Sequence, residues 1–245
     1  MVIAGFQPLS LLDYPGKSCS IVFTQGCPFR CPYCHNPELI SICPPCPSGR
    51  RAAGAVRPKT SVTEASVLTY LRQHIRMLDG VCITGGEPTI QVGLRAFIKC
   101  VKELGLLVKL DTNGVHPTVI RELIADHLVD YFAMDLKAPW EQYQHVVRVS
   151  YSGSANAIAN CRETFGIIQT SGVDHEFRTT ICPGVHTAAD FFEMAGYLKD
   201  GETYFIQEMQ FKKTLVSDLP RDAGFHAADL AVQLRERFPR LTIES

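Results

Sequence analysis

Strand-like and helix-like stretches alternate along this chain, and that alternation limits its fold more than any other feature of its 245 residues. Residues 20–24 read as a short strand. Residues 63–78 have helical apolar spacing through Val67, Leu68, Leu71, Ile75 and Leu78, with Thr63 as the N-cap. Further strands are expected at 81–84, 106–110, 129–136, 175–181 and 203–208. Further helices are expected at 93–104, 117–127, 155–170, 188–199 and 222–238, with a short terminal strand at 241–243. Strand–helix units in series imply a parallel sheet with helices outside it. Eight units close a full barrel; the six read here predict an α/β fold of the open, partial (β/α)6 type.

In such folds the active site lies at the C-terminal ends of the strands. The polar motifs fall there. A cysteine loop follows the first predicted strand, and Gly85-Gly86-Glu87-Pro88 follows the second. Asp111-Thr112-Asn113-Gly114 follows the third, and Asp135-Leu136-Lys137 closes the fourth. Residues 41–59, rich in Pro, Gly, Ala and Arg and without apolar period, read as a surface insertion in a single domain spanning 1–245.

The cysteine loop carries Cys27-x3-Cys31-x2-Cys34, followed by His35-Asn36-Pro37. Three thiolates so close together can hold three corners of a 4Fe–4S cluster. No fourth ligand belongs to the motif, so one iron would stay open for chemistry. The plainer alternative is zinc, which wants four ligands and could take the last from Cys43 or Cys46. The remaining cysteines of the ten, Cys19, Cys82, Cys100, Cys161 and Cys182, are scattered and read as small buried thiols.

Bulk properties exclude several classes. Hydrophobic residues make up 46% and charged residues 20%, the balance of an ordinary globular protein. A formal charge of −1 gives no electrostatic reason to expect nucleic acid or a membrane surface as partner. No apolar run is long enough to span a bilayer, and the first ten residues lack a signal-peptide pattern. A cytoplasmic location is therefore expected.

The motifs together resemble radical S-adenosylmethionine (SAM) proteins of the glycyl-radical-enzyme activase type. The chain is most similar to activating proteins of the anaerobic ribonucleoside-triphosphate reductase. The matching stretches begin with Ser10-Leu11-Leu12-Asp13-Tyr14-Pro15-Gly16-Lys17 and Gly26-Cys27-Pro28-Phe29-Arg30-Cys31-Pro32-Tyr33-Cys34-His35-Asn36-Pro37. Ile83-Thr84-Gly85-Gly86-Glu87-Pro88, Lys109-Leu110-Asp111-Thr112-Asn113-Gly114, Ala133-Met134-Asp135-Leu136-Lys137 and Glu176-Phe177-Arg178-Thr179-Thr180 follow.

The resemblance implies that the open iron chelates SAM, that a reduced cluster cleaves it, and that the resulting 5′-deoxyadenosyl radical takes a glycine hydrogen from a partner enzyme. It implies a flavodoxin or ferredoxin as electron donor. Gly85 and Gly86 fit the family's SAM-binding turn, with Glu87 either meeting the SAM ammonium or supporting the turn; a simple β-to-α turn is the alternative. Tyr33, Asp111, Thr112, Asn113, Lys137 and Arg178 resemble further SAM-site positions. Asn113 reads equally as an Asx turn, Lys137 as a solvated strand end, and Arg178 as half of a structural salt bridge. Asp111 and Asp135 match ligands of a bound monovalent cation. Some activases carry two extra clusters near Cys43-Pro44-Pro45-Cys46, but two cysteines cannot supply two four-ligand sets. That pair is left as part of a zinc site, a redox pair or inert.

Three function classes remain in competition. One is a radical SAM activase acting on a glycyl radical enzyme, with anaerobic ribonucleotide reductase as the favoured partner. A second is a radical SAM enzyme acting on a small molecule, such as a 7-carboxy-7-deazaguanine synthase-like enzyme, for which the sequence offers no purine-binding signature. The third is a non-catalytic metal-binding protein, which leaves the accompanying SAM-contact motifs unexplained.

Overall fold

A computed structural model describes residues 1–41, 62–149, 156–211 and 213–245. Cys43, Cys46 and all but the first position of the expected insertion lie outside the described residues. The architecture is an open, mostly parallel α/β sheet whose strands follow chain order. The chain forms two compact units.

The first unit comprises Met1–Pro28, Glu38–Thr112 and Thr118–Phe132. Strand β1 (Ile3–Ser10) pairs antiparallel with β2 (Cys19–Thr24). Strand β3 (Gly80–Gly85) runs parallel to β2, with Cys19 opposite Gly80 and Thr24 opposite Gly85. Strand β4 (Leu107–Thr112) runs parallel to β3. Successive residues of a strand point to opposite faces, and here both faces are apolar. Ile21 and Cys82 cluster with Tyr14 and Cys19, against Phe23, Leu107 and Tyr131. The alternate positions Val22, Val81, Ile83, Val108 and Leu110 are fully buried too, the pattern of a parallel sheet covered on both sides.

Helices α1 (Glu64–His74), α2 (Leu94–Glu103) and most of α3 (Pro117–Ala125) belong to this unit. Thr63 caps α1 as expected: its hydroxyl accepts from the Ser66 amide at 3.1 Å, and Ser66 Oγ accepts from the Thr63 amide at 3.0 Å. Strand β1 was not expected, because Gly5 and Pro8 interrupt any strand pattern. Pro8 is tolerated because an edge strand need not donate every amide.

The second unit comprises Phe29–Pro37, Asn113–Pro117 and Ala133–Ser245. Strand β5 (Tyr131–Asp135) enters it at Ala133. Strands β6 (Asp174–Thr180), β7 (Thr203–Gln207) and β8 (Thr242–Glu244) are parallel neighbours. Its helices are α4 (Tyr143–Val147), α5 (Ala157–Gln169), α6 (Ala188–Ala195) and α7 (Ala227–Arg237). Short α4 was not expected, and α7 starts later than the apolar pattern suggested. Trp140 stacks on Tyr143 and Tyr197, with ring centres 5.1 and 5.8 Å away. Among the described residues no helix is long and apolar enough to cross a membrane.

A polar pair ties β6 to β7 in this unit. His175 Nε2 lies 3.2 Å from Glu202 Oε1, and Nδ1 lies 2.9 Å from the Val173 carbonyl. Glu202 Oε2 accepts from the Gln169 amide at 2.8 Å and the Lys199 backbone N–H at 2.7 Å. Burial works against charge on both groups, yet these partners raise His175 above its usual 6.5 and lower Glu202 below its usual 4.5. The His175 contribution is complete below pH 6.5 and is lost as pH rises through the raised value. The Glu202 contribution is complete above pH 4.5 and is lost as pH falls through the lowered value. Melting temperature should therefore fall between pH 6 and pH 9 in the wild type, by an amount corresponding to about 1 kcal/mol. The His175→Gln protein should show a flatter profile in the same thermal scans; parallel profiles would defeat this account.

Candidate functional site

In the first unit the strand ends build a rigid turn. Gly85 has φ +113° and Gly26 has φ +101°, values that only glycine adopts readily. The Gly86 amide donates to the Thr24 carbonyl at 2.9 Å, and the Glu87 amide to the Gly26 carbonyl at 2.7 Å. A Cβ on Gly86 would lie 2.0 Å from the Gly26 carbonyl oxygen. The two glycines thus let the backbones of residues 24–26 and 85–87 lie against each other. Cys27 follows directly, its amide donating to the Ile40 carbonyl at 3.1 Å.

Glu87 is fully buried. Its Oε1 accepts from the Thr89 amide at 3.1 Å, the Thr89 hydroxyl at 2.5 Å and the Thr112 hydroxyl at 2.8 Å. The carboxylate ties the turn after β3 to the end of β4. Asp111 and Lys109 share one face of β4, two residues apart. Buried Lys109 donates from Nζ to Asp111 Oδ1 at 2.7 Å, and the Cys82 thiol lies 3.8 Å from the same oxygen.

The second unit gathers Cys31, Tyr33, Cys34, His35, Asn113, Asp135, Lys137 and Arg178. The Cys34 amide donates to the Cys31 carbonyl at 3.1 Å, closing a tight turn. Cys31 is buried, while Cys27 and Cys34 are half-buried. Burial pushes the Cys31 thiol up to about 11, with the Lys137 ammonium pulling the other way. Binding to iron takes the thiolate, so loading releases a proton against that burial. The donor set fits an iron–sulfur cluster. Three cysteine thiolates are the ligands such a cluster takes.

Asp135 sits between two cations. Lys137 Nζ donates to Oδ2 at 3.1 Å, and Arg178 donates to Oδ1 from Nε at 3.2 Å and from an Nη at 3.1 Å. Burial works to raise the Asp135 carboxyl, but Lys137 and Arg178 outweigh it and hold it at about 2. Arg178 therefore has the anionic partner its strand position demanded, a half-buried one. Lys137 is not a solvated strand end: it is buried enough that only its pairing, with Asp135 first, keeps its pKa well above the usual value. Asn113 forms the Asx turn, its Oδ1 accepting from the Val115 amide at 3.0 Å. His35 Nε2 accepts from the Gln210 amide at 3.2 Å, which leaves any ring proton on Nδ1.

Asp111 and Asp135 are the carboxylates expected to hold a monovalent cation. Each carboxylate already carries a side-chain cation, Lys109 on the first and Lys137 with Arg178 on the second. Lys109, Thr89, Tyr143 and His186 join these networks without having been expected there. Tyr143 donates to the Asp135 carbonyl at 3.1 Å, and His186 Nε2 lies 2.9 Å from the Lys137 carbonyl. Lys109 was legible as a lysine two residues before Asp111 on one strand face; Tyr143 and His186 become visible only once the chain is folded.

Residues 21–187 match the family described as the Radical SAM superfamily. The chain is 32% identical over 214 residues to a Methanocaldococcus jannaschii protein provisionally named a glycyl-radical enzyme activating enzyme, covering 86% of this chain and 81% of that one. It is 35% identical over 109 residues to the pyruvate formate-lyase-activating enzyme of Staphylococcus aureus, covering 44% of this chain and 39% of that one. Among solved structures it is similar to Streptococcus suis SuiB bound to S-adenosylmethionine, with a TM-score of 0.62 at 13% identity. That match covers 91% of this chain but only 51% of SuiB, so the chain spans about half the length of that protein and the likeness concerns the fold.

Proposed function

The chain belongs to the radical SAM superfamily, and from that premise we propose that it is a glycyl-radical-enzyme activase, with anaerobic ribonucleotide reductase as its partner. The observation that carries this reading is the 32% identity, across 86% of the chain, to a protein provisionally named a glycyl-radical enzyme activating enzyme. The ribonucleotide reductase partner rests on the motif resemblance from Ser10 to Thr180.

Cys27, Cys31 and Cys34 would hold the 4Fe–4S cluster. When bound and reduced, that cluster supplies the electron that splits SAM into methionine and a 5′-deoxyadenosyl radical, which then takes a glycine hydrogen from the partner. The protein's part is positioning. Gly85 and Gly86 let the ligand approach backbone closely, and Glu87 with Thr89 and Thr112 keeps that turn from moving. Lys137 offers an ammonium to the SAM carboxylate, its direction set by Asp135, which Arg178 fixes in turn. A flavodoxin or ferredoxin would donate the electron.

The test is anaerobic electron paramagnetic resonance with reconstituted protein, reductant, SAM and either anaerobic ribonucleotide reductase or pyruvate formate-lyase, with 5′-deoxyadenosine assayed in parallel. A glycyl doublet on the reductase supports the reading in full. A doublet on the lyase alone keeps the activase and changes the partner. SAM cleavage with neither doublet moves the substrate to a small molecule.

A further inference from the structure

We propose that the Lys109 ammonium stands in for an alkali cation at Asp111, so that this chain binds neither sodium nor potassium at that carboxylate. The proposal rests on the radical SAM reading only for the purpose the carboxylate serves; the ion pair stands without it. Leu107, Lys109 and Asp111 alternate onto one face of β4. Nζ of Lys109 lies 2.7 Å from Asp111 Oδ1, and the lysine is buried. The Tyr131 ring centre lies 5.9 Å from the same ammonium, and the Cys82 thiol lies 3.8 Å from the same carboxylate oxygen.

A buried ammonium persists only when paired and hydrogen-bonded, and this one finds its pairing in Asp111. An alkali ion seeks the same thing as the ammonium, a charged oxygen ligand out of bulk water. A second cation at Asp111 would meet the repulsion of the Lys109 ammonium, which is tethered two residues away on the same strand. In the second unit, by itself, Asp135 repeats the arrangement: Lys137 occupies Oδ2 and Arg178 occupies Oδ1. Both carboxylates matched to cation ligands thus carry cations built into the chain. Lys109 is on this account a positioning residue, acting through Asp111.

Cation binding is measurable on the full chain without cluster or SAM. Thallium-205 resonance of Tl+ and thermal scans in sodium, potassium or choline chloride at equal ionic strength should show no saturable binding by the wild type and one common melting temperature. Lys109→Met should gain a potassium- or sodium-dependent rise of about 3 to 5 °C, and the double change with Asp111→Asn should lose it. Saturable wild-type binding that Asp111→Asn removes would overturn the proposal, and this measurement holds even if Lys109→Met does not fold. A folded Lys109→Met protein with no cation response would also overturn it. In reconstituted protein, SAM cleavage that requires potassium counts against the proposal and leaves the activase reading standing; no cleavage in any salt does the reverse.

Discussion

Gly86→Ala is expected to destroy the site while leaving most of the fold able to form. The added Cβ would lie 2.0 Å from the Gly26 carbonyl oxygen and 2.6 Å from its carbonyl carbon. These are backbone atoms, so no side chain can swing aside. Gly26 is itself held by the hydrogen bond its backbone N–H donates to the Leu39 carbonyl at 2.6 Å. Relief requires the loop before Cys27 to move away from the turn before Glu87, at a cost of about 3 kcal/mol or more. Cluster content should fall with stability, because displacing Gly26 drags Cys27. Gly105→Ala is the control: its φ of +80° strains any side chain, but nothing lies near its Cβ. That change should cost about 1 kcal/mol and leave iron and sulfide per chain unaltered. Equal losses of iron from both variants would show that the close approach at Gly86 is not what matters.

Cys31→Ala is expected to remove SAM cleavage, by about 10³-fold or more, which corresponds to some 4 kcal/mol in barrier. Cys31 is the middle cysteine of the motif and the buried one. Its loss would leave a cluster with two thiolates and a second uncovered iron. Iron and sulfide analysis should fall together with 5′-deoxyadenosine formation. Turnover surviving the substitution would refute the cluster assignment. Replacing Cys43 and Cys46 together should leave cleavage intact, since the three-cysteine motif needs no ligand from them.

Much of the fold could be read before folding because parallel strands buried on both faces carry dense apolar runs, such as Ser20 to Thr24 and Val81 to Thr84. Thr63 was readable as a cap because the hydroxyl and its partner lie three residues apart. Strand β1 was not, since its pairing with β2 rather than its own composition makes it a strand. The candidate site divides in the same way. The cysteines and the Gly-Gly turn are local in sequence and were legible. Arg178 signalled a buried anion but not which one; Asp135, forty-three positions away, is settled only by the pairing geometry. Glu87 read either as a contact of the SAM ammonium or as a support of the turn, because its donors on Thr89 and Thr112 could not be foreseen from the motif.

The sheet's two outer strands differ in length, and each is unfit to recruit another chain. Strand β1 contains Pro8, which has no N–H to offer, and its register slips between Ile3 and Gly5 and again between Gln7 and Ser10. Strand β8 is only three residues long. Exposed, flat, continuous edges are what template edge-to-edge aggregation, and prolines, irregular register and shortness all blunt them. Losses during concentrated handling in air should then come from dioxygen oxidising the cysteine thiols rather than from strand addition, so a reductant should rescue them and a mild denaturant should not.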